Sequence, residues 1–396
     1  MLKKSCVMLL VLLMSVSFLM TACAKEAKHS KKNKAVAVKP LSPEEVLNAK
    51  VENILQGMTL EEKIGQIMFI GVSGPTLNAV DLDLLQNMHV GGVILFDRNM
   101  QNPEQVRALN LAVQEKGSLP LKMYNNAKLP LFISVDEEGG QVQRMRENWP
   151  DGRIPSQEKI GAAGNAALAK EWASKTAKSM KYMGFNVNFA PVADLGSSRE
   201  RSYSKDHIAV TNFVDAAMEG YAEEKVMSTL KHFPGIGRAV VDPHYDGSVI
   251  KEDIATLEKT DLVPFAEMIK KKNNDTFMVM ISHLTYTAFD SELPSSISKN
   301  IITGLLKEKL GFKGIIITDD LEMGAVAKHY SHEEMGVRAL NAGVDAALIC
   351  HNPTYIKIMY QSLLDACKQG KITQERIDES VRKILRAKLV NLKVEI

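Results

Sequence analysis

The chain has 396 residues, a hydrophobic fraction of 45%, a charged fraction of 24% and a formal net charge of +2 at pH 7. Lys3, Lys4 and the six lysines of residues 24–40 supply more than this excess of positive charge, so the rest of the chain is mildly acidic. Such a charge balance argues against nucleic acid as a partner. Of the four cysteines, Cys6 and Cys23 lie in the N-terminal segment, which excludes a disulfide framework.

The first residues have the pattern of an export signal. Lys3 and Lys4 precede an apolar run from Val7 to Met20, which is too short to cross a bilayer as a helix. The sequence MTAC that follows resembles a bacterial lipobox, in which the cysteine is lipidated and becomes the first residue. We therefore expect a lipoprotein signal peptide over residues 1–22 and a lipid anchor on Cys23. A plain secretory signal or an uncleaved anchor is the alternative.

Residues 23–40 predict a tether between this anchor and the folded domain. The segment is polar and rich in lysine and shows no apolar periodicity, so it cannot bury enough surface to fold. The folded domain is expected over residues 41–396, with a capping box at Thr59 and Glu62 near its start. The protein is thus expected to be exported and membrane-anchored, on the periplasmic or cell-surface side.

Eight short apolar runs rich in Val, Ile and Phe follow in chain order. They begin at Gln66, Gly91, Leu129, Phe185, Val226, Thr276, Gly314 and Val344. The runs are continuous rather than alternating, as in parallel strands that are covered on both faces, and helical stretches separate them. Eight strands alternating with helices predict one α/β domain, a single (β/α)8 TIM-type barrel. A doubly wound open sheet is the alternative.

Polar side chains stand where six of these runs end. They are Asp136, Asp194, Lys231, His232, Ser282, His283, Asp319, Asp320 and His351. Loops at the C-terminal ends of barrel strands form the active site in essentially every characterised barrel enzyme. Any one of these residues would be compatible with a helix cap, but six strands in succession predict an active site.

Eight motifs carry a resemblance to a known family: MTLEEKIGQ, GGVILFDRN, VDEEGGQVQR, NFAPVADL, RSYSKD, KHFPGIGRAVVDPH, ISHLTY and ITDDLEMGA. In this order they resemble the glycoside hydrolases of family 3, and within them the bacterial β-N-acetylglucosaminidases of the peptidoglycan-recycling type. The resemblance runs from about Pro43 to the C-terminus. It implies a retaining exo-β-N-acetylglucosaminidase that releases terminal GlcNAc from peptidoglycan fragments and needs no cofactor or metal.

The resemblance also implies the catalytic residues. Retaining hydrolysis requires a carboxylate nucleophile and a proton donor that later acts as a base. Asp319 matches the family's nucleophile, which forms a covalent glycosyl intermediate. Asp242 and His244 match the family's Asp-x-His dyad on the loop after the fifth strand. The imidazole titrates near neutrality and would act as acid and base, while Asp242 would orient it.

Five residues match the family's contacts to the sugar: Asp136, Arg144, Arg201, Lys231 and His232. For the two arginines, pairing with neighbouring acids is the structural alternative. Two positions depart from the family pattern. Ile236 stands where these enzymes often have histidine, and Pro243 replaces the usual serine within the dyad.

Three other functions remain open at this stage. The first is a metallohydrolase with His232, Asp242 and His244 as ligands, although the chain has no His-x-His or His-Glu-x-x-His pair. The second is a non-catalytic lipoprotein that binds cell-wall sugars, which would need neither Asp319 nor His244. In the third, phosphate rather than water attacks the glycosyl intermediate.

Overall fold

The computed structural model describes residues 40–145, 149, 152–239 and 248–396. The expected signal peptide, Cys23 and all but the last residue of the tether lie outside the described residues, as do Asp242, Pro243 and His244. Contacts between residues divide the chain into Met1–Ser42 and a unit that spans Pro43–Ile396. Among the described helices, none is both long enough and apolar enough to cross a membrane.

Eight parallel strands form the centre of this unit. They are β1 (Met68–Gly71), β2 (Gly92–Leu95), β3 (Phe132–Val135), β4 (Val187–Asn188), β5 (Ser228–Phe233), β6 (Phe277–Ile281), β7 (Ile315–Thr318) and β8 (Ala347–Ile349). Every residue in them is buried, which explains why their sequences are continuous apolar runs. Full burial of each Val, Ile or Phe side chain contributes about 1.5–3 kcal/mol.

The strands close into a ring. β1 pairs with β2 and β8, β2 with β3, and β3 with β4; β6 pairs with β5 and β7. Parallel bridges between Val187 and Met227 and between Ile317 and Ala346 join β4 to β5 and β7 to β8. The expected (β/α)8 barrel is therefore confirmed. An open doubly wound sheet is wrong, because no strand of the ring is left with an unpaired edge.

Helices surround the ring and cover its outer face. They are α1 (Pro43–Gly57), α2 (Leu60–Ile67), α3 (Ala79–Met88), α4 (Pro103–Gly117), α5 (Gln157–Ala162), α6 (Ala166–Tyr182), α7 (His207–Glu223), α8 (Ile254–Lys259), α9 (Val263–Lys271), the π-helix α10 (Asn300–Lys309), α11 (Gly324–Ala327), α12 (His332–Ala342), α13 (Pro353–Lys368) and α14 (Gln374–Asn391). The predicted capping box begins α2: the Glu62 N–H donates to Thr59 Oγ1 and the Thr59 N–H donates to the Glu62 carboxylate.

Among the described residues, four further strands of two or three residues lie outside the ring. Leu119–Leu121 and Ala127–Leu129 form an antiparallel hairpin between α4 and β3. Val249–Ile250 and Thr285–Tyr286 pair in parallel beside the loops that follow β5 and β6. The second pair ties together two loops on the C-terminal side of the ring.

The C-terminal helix α14 closes the N-terminal end of the barrel. Lys388 Nζ donates to Gln66 Oε1 just before β1, at 2.7 Å. Lys383 Nζ donates to the Asp345 carboxylate just before β8, at 2.9 Å. β1 and β8 are neighbours, and Arg386 Nε also donates to the Asp275 carboxylate just before β6, at 2.7 Å, so α14 covers the end opposite the loops that follow the strands. The accessible end is therefore the C-terminal one.

Candidate active site

A buried lysine lies at the centre of the C-terminal end of the barrel. Lys231, near the end of β5, is 2% exposed, and its Nζ lies 2.7 Å from both Asp136 Oδ1 and Glu138 Oε1. Burial alone would lower the pKa of Lys231, but the two carboxylates outweigh it and raise this pKa above its usual value. An ammonium has three N–H donors, so two are engaged here and one remains for a ligand.

Glu138 and Arg201 form a bidentate ion pair beside this lysine. Arg201 Nε donates to Glu138 Oε2 and Arg201 Nη2 donates to Glu138 Oε1, each at 2.8 Å. Burial would raise the pKa of Glu138, but the charges of Arg201 and Lys231 hold it well below its usual value. Arg201 thus makes the acid pairing that was the structural alternative to a sugar contact, and the same guanidinium borders the site.

Glu138 is the residue of this site that the sequence analysis did not single out. A signal for it exists in the motif VDEEGGQVQR, where Glu138 stands two residues after Asp136 and thus on the same side of an extended backbone. A carboxylate on that side meets the Lys231 ammonium. Its pairing with Arg201, 63 residues further along the chain, depends on the fold.

The imidazole of His232 is held in one tautomer. Its Nε2 lies 3.2 Å from Arg201 Nη2, and because a guanidinium can only donate, Nε2 accepts. Its Nδ1–H therefore donates to Asp194 Oδ2, at 2.8 Å. Both ring nitrogens of His232 are thus engaged, and neither is left for a metal ion.

Asp194 also fixes the start of the loop after β5. Its Oδ1 accepts the backbone N–H groups of His232 at 3.0 Å and of Ile236 at 2.9 Å. At the position where the family often has histidine, the Ile236 side chain packs against the hydrophobic core. The loop that leads toward residues 240–247 is thus anchored by one buried carboxylate.

Asp319 follows β7 and is partly exposed at the same end of the barrel. Its Oδ1 accepts the backbone N–H of Asp320 at 2.8 Å. Burial would raise the pKa of Asp319, but the neighbouring His232, His283 and Lys231 and the Asp320 N–H hold it below its usual value. A carboxylate that stays ionised at the accessible end of the barrel is suited to nucleophilic attack.

Two histidines contact Asp320, the residue that follows Asp319. His283 Nε2–H donates to the Asp320 carbonyl oxygen at 2.9 Å, and the Ser296 hydroxyl lies 2.8 Å from His283 Nδ1. Burial lowers the pKa of His283, against the opposing effect of Asp319 and Asp320. On the other side, His351 Nε2 lies 3.2 Å from Asp320 Oδ2.

Arg144 lies in a neighbouring group of contacts. Its Nη1 donates to Asp97 Oδ2 at 3.1 Å, and its guanidinium carbon lies 5.9 Å from the centre of the Phe96 ring. The structure thus joins Asp136, Arg201, Lys231 and His232 in one bonded cluster with Glu138 and Asp194. Arg144 approaches from the loop that follows β3 and makes an acid pairing of its own.

The described part of the chain contains no group of three or more His, Cys, Asp or Glu side chains placed to hold a metal ion. Cys350 and Cys367 are both free.

Residues 59–387 match the model of the glycosyl hydrolase family 3 N terminal domain. The chain belongs to glycosyl hydrolase family 3. It is 32% identical over 332 residues to β-hexosaminidase A of Pseudoalteromonas piscicida, which covers 77% of this chain and 54% of that protein. It is 35% identical over 295 residues to a β-hexosaminidase of Xylella fastidiosa strain M23, which covers 72% of this chain and 83% of that protein.

A solved structure of this family shows the same fold. The family 3 β-N-acetylglucosaminidase from Paenibacillus sp. str. FPU-7 superposes with a TM-score of 0.78 at 34% identity. The match covers 86% of this chain and 64% of that chain. The resemblance to bacterial β-N-acetylglucosaminidases is therefore confirmed, and this family 3 member is an enzyme, a glycoside hydrolase. It spans only about half of the Pseudoalteromonas protein, at 54% of its length.

Proposed function

We propose that this protein is a retaining exo-β-N-acetylglucosaminidase that releases terminal GlcNAc from peptidoglycan fragments. The observation that carries the proposal is the placement of Asp319. This carboxylate lies at the accessible end of the barrel, and its pKa is held below its usual value by the surrounding basic groups. In the proposed reaction it attacks the anomeric carbon, the leaving oxygen departs with a proton from a donor, and water then hydrolyses the glycosyl-Asp319 bond.

The proton donor in this proposal is His244, oriented by Asp242. Both residues lie outside the described part of the chain, so this assignment rests on the family resemblance. The described groups beside Asp319 support it indirectly. Lys231 is held charged by two carboxylates, and both ring nitrogens of His232 are engaged by Arg201 and Asp194. Both groups are thus already engaged with other residues of the cluster, which supports a proton donor elsewhere in the site.

The sugar contacts in this proposal come from the bonded cluster. Lys231 offers its third N–H, and Asp136 has a carboxylate oxygen that is not used by Lys231. Asp136 has an 18% exposed side chain, whereas the Glu138 side chain is 1% exposed, so Asp136 is the acid of this pair that faces a ligand. Arg144, Arg201 and His232 would border the same sugar.

We also propose a substrate class and a location for the enzyme. The named relatives are β-hexosaminidases, and a solved relative is a β-N-acetylglucosaminidase, which supports a GlcNAc-terminated glycan. The lipobox ending at Cys23 favours a lipid-anchored enzyme outside the cytoplasmic membrane, among wall fragments. Phosphate as the attacking group stays the alternative to water.

The test compares the release of nitrophenol from the β-N-acetylglucosaminide and from the β-glucoside, with a chelator present throughout. We expect turnover of the first substrate alone, unaffected by the chelator and lost in Asp319→Ala. Omitting and then adding phosphate distinguishes hydrolysis from phosphorolysis by the product, GlcNAc or GlcNAc 1-phosphate. Sugar binding without turnover would instead support the non-catalytic lipoprotein, and loss of turnover with the chelator would support a metallohydrolase.

A further inference from the structure

One acid behind the sugar pocket has no role in the reaction as described. Glu137 stands between Asp136 and Glu138 but is 1% exposed and makes different contacts. Its Oε2 accepts the backbone N–H groups of Arg144 and Met145, each at 2.9 Å. The carboxyl group of Glu137 therefore holds the main chain at the point where the loop after β3 presents Arg144.

The backbone of Glu137 is itself firmly held. Its N–H donates to Asn188 Oδ1 at 3.0 Å, and Asn188 Nδ2 donates to the Glu137 carbonyl oxygen at 2.9 Å. The same Nδ2 also donates to the Tyr221 hydroxyl at 3.0 Å. Because β4 and α7 fix the backbone of Glu137, its side chain is a rigid support for the loop and not a mobile surface group.

The second carboxyl oxygen of Glu137 has no partner. Oε1 is buried and makes no hydrogen bond within the described part of the chain. A buried charge on such an oxygen is costly, so the neutral acid is favoured. Burial raises the pKa of Glu137 to about 8, against the opposing effect of the two N–H groups and of the Arg144 charge.

The charged and titratable groups that face Glu137 come from three elements. Arg144 lies on the same loop, Asp97 lies on the segment after β2, and Tyr221 lies on α7. Arg144 favours ionisation of Glu137, whereas Asp97 opposes it. Tyr221 is fully buried and its own pKa is raised, so it stays neutral while Glu137 titrates.

We propose that Glu137 is a positioning residue, whose neutral carboxyl group holds the backbone of Arg144 and Met145 and thereby sets the affinity of the enzyme for its sugar. Ionisation would place an uncompensated charge on the buried Oε1, and the loop would have to move to admit water to it. Arg144 would then lose its fixed approach to the substrate. The inference rests on the proposed function in one respect, that Arg144 contacts the sugar.

Two readouts test the proposal, one dependent on turnover and one independent of it. The first is KM and kcat for the chromogenic β-N-acetylglucosaminide between pH 6 and 9.5. The second is the emission of Trp149, which is 7% exposed on the same loop and lines a cavity together with Met145. The chain has two tryptophans, so Trp172→Phe leaves Trp149 as the single reporter.

We expect KM of the wild type to rise by roughly tenfold above pH 8, the effect of one weakened polar contact. The emission of Trp149 should change over the same pH range. Glu137→Gln keeps an amide oxygen that accepts the same two N–H groups but cannot ionise, so it should lose both alkaline transitions. Its kcat should follow the same pH curve as that of the wild type.

A matched control is Glu322→Gln. The Glu322 carboxylate accepts the backbone N–H groups of Cys350 at 2.9 Å and Asn352 at 3.0 Å, in a different loop of the same barrel end. This variant should keep both alkaline transitions. If Glu137→Gln retains the transitions, or if the wild type has neither, the proposal for Glu137 is overturned. A wild type without turnover at any pH contradicts the proposed function, while the Trp149 readout still decides the proposal for Glu137.

Discussion

At the scale of single residues, the site depends on buried charges that neutralise one another. Glu138 is the shared partner of Lys231 and Arg201, and all three side chains are almost fully enclosed. A buried ion pair adds little net stability, but removing one member leaves the other charges uncompensated. The geometry of this cluster is thus more sensitive to loss of Glu138 than to any change on the surface.

Glu138→Gln should therefore reduce both stability and activity. Breaking a buried ion pair costs about 3–5 kcal/mol, and the displaced Lys231 and Arg201 should lower kcat/KM by roughly a hundredfold or more. Thermal unfolding and steady-state kinetics measure the two effects. Glu158→Gln, at an exposed position on α5, is the control and should change neither. A Glu138→Gln enzyme with wild-type kinetics would show that the cluster does not shape the site.

Glu137 should also make the stability of the protein depend on pH. The folded protein raises the pKa of Glu137 from 4.5 to about 8, so between these values the folded state binds more protons than the unfolded state. The free energy of unfolding must then fall as the pH rises through this window. Glu137→Gln removes this contribution, so its melting temperature should fall less between pH 5 and pH 8 than that of the wild type. Equal pH dependence in the two proteins would contradict the raised pKa.

At the scale of elements, the strands could be predicted from the sequence because each is buried on both faces. Each of the eight apolar runs overlaps a strand of the ring, but the run that begins at Phe185 contains a strand of only two residues, β4. There the Asn188 side chain hydrogen-bonds the Glu137 backbone, which takes the place of ladder bonds. No local pattern signals this exchange.

Some residues of the candidate site could likewise be predicted from the sequence, whereas their contacts could not. Asp136, Lys231, His232 and Asp319 could be named from the sequence, because each follows an apolar run and lies in a motif. That Glu138 is the acid which pairs with Arg201 could not be predicted, since the pair joins the loops after the neighbouring strands β3 and β4, 63 residues apart in the chain. The role of Glu137 was equally hidden, because its partners are backbone groups that carry no sequence signal.

The helix α14 contains a buried lysine that should make the stability of the protein depend on pH. Lys388 is fully buried under the barrel, with the Gln66 side chain as its hydrogen-bond partner and the Phe132 ring centre 5.4 Å from Nζ. Burial lowers the pKa of Lys388 to about 7. Between pH 7 and 10.5, the usual pKa of lysine, the unfolded state binds more protons than the folded state. The contribution of Lys388 to the free energy of unfolding therefore decreases as the pH falls through this window.

Lys388→Met should therefore stabilise the protein relative to the wild type most at pH 7 and below, and progressively less toward pH 10. The loss of the hydrogen bond to Gln66 lowers the free energy of unfolding by about 1–3 kcal/mol at every pH. It therefore changes the size of the difference between the two proteins but not its dependence on pH. Chemical denaturation at a series of pH values measures this difference. Lys393→Met, at an 89% exposed side chain, is the control and should give a small difference that does not vary with pH. A flat difference for Lys388→Met would mean that Lys388 does not lose its proton in the folded state.

At the scale of the whole molecule, the first helix of the barrel and the bonded cluster lie at opposite ends. The unit begins with α1, which packs against α14 at the closed end through ion pairs such as Glu52 with Arg382. The bonded cluster lies at the opposite end, close to the loops that follow the strands. Its residues all lie between Asp136 and His232, so a change at Cys23 should leave them in place.

Cys23→Ser should move the protein from the membrane fraction to the soluble fraction, because the proposed lipid is attached at this cysteine. The specific activity of the released enzyme should equal that of the anchored one. Fractionation of cells that express the two proteins, followed by activity measurements on each fraction, tests this. Retention of Cys23→Ser in the membrane fraction would support the uncleaved anchor instead.

The central claim is that Asp319 forms a covalent bond with an N-acetylglucosaminyl group. The most direct test is to quench the enzyme after reaction with a 5-fluoro N-acetylglucosaminyl fluoride, which slows hydrolysis of such an intermediate, and to locate the added mass by peptide mass spectrometry. We predict an adduct on the peptide that contains Asp319, absent from Asp319→Ala. An adduct on another carboxylate, or turnover of this reagent without any adduct, would contradict the account.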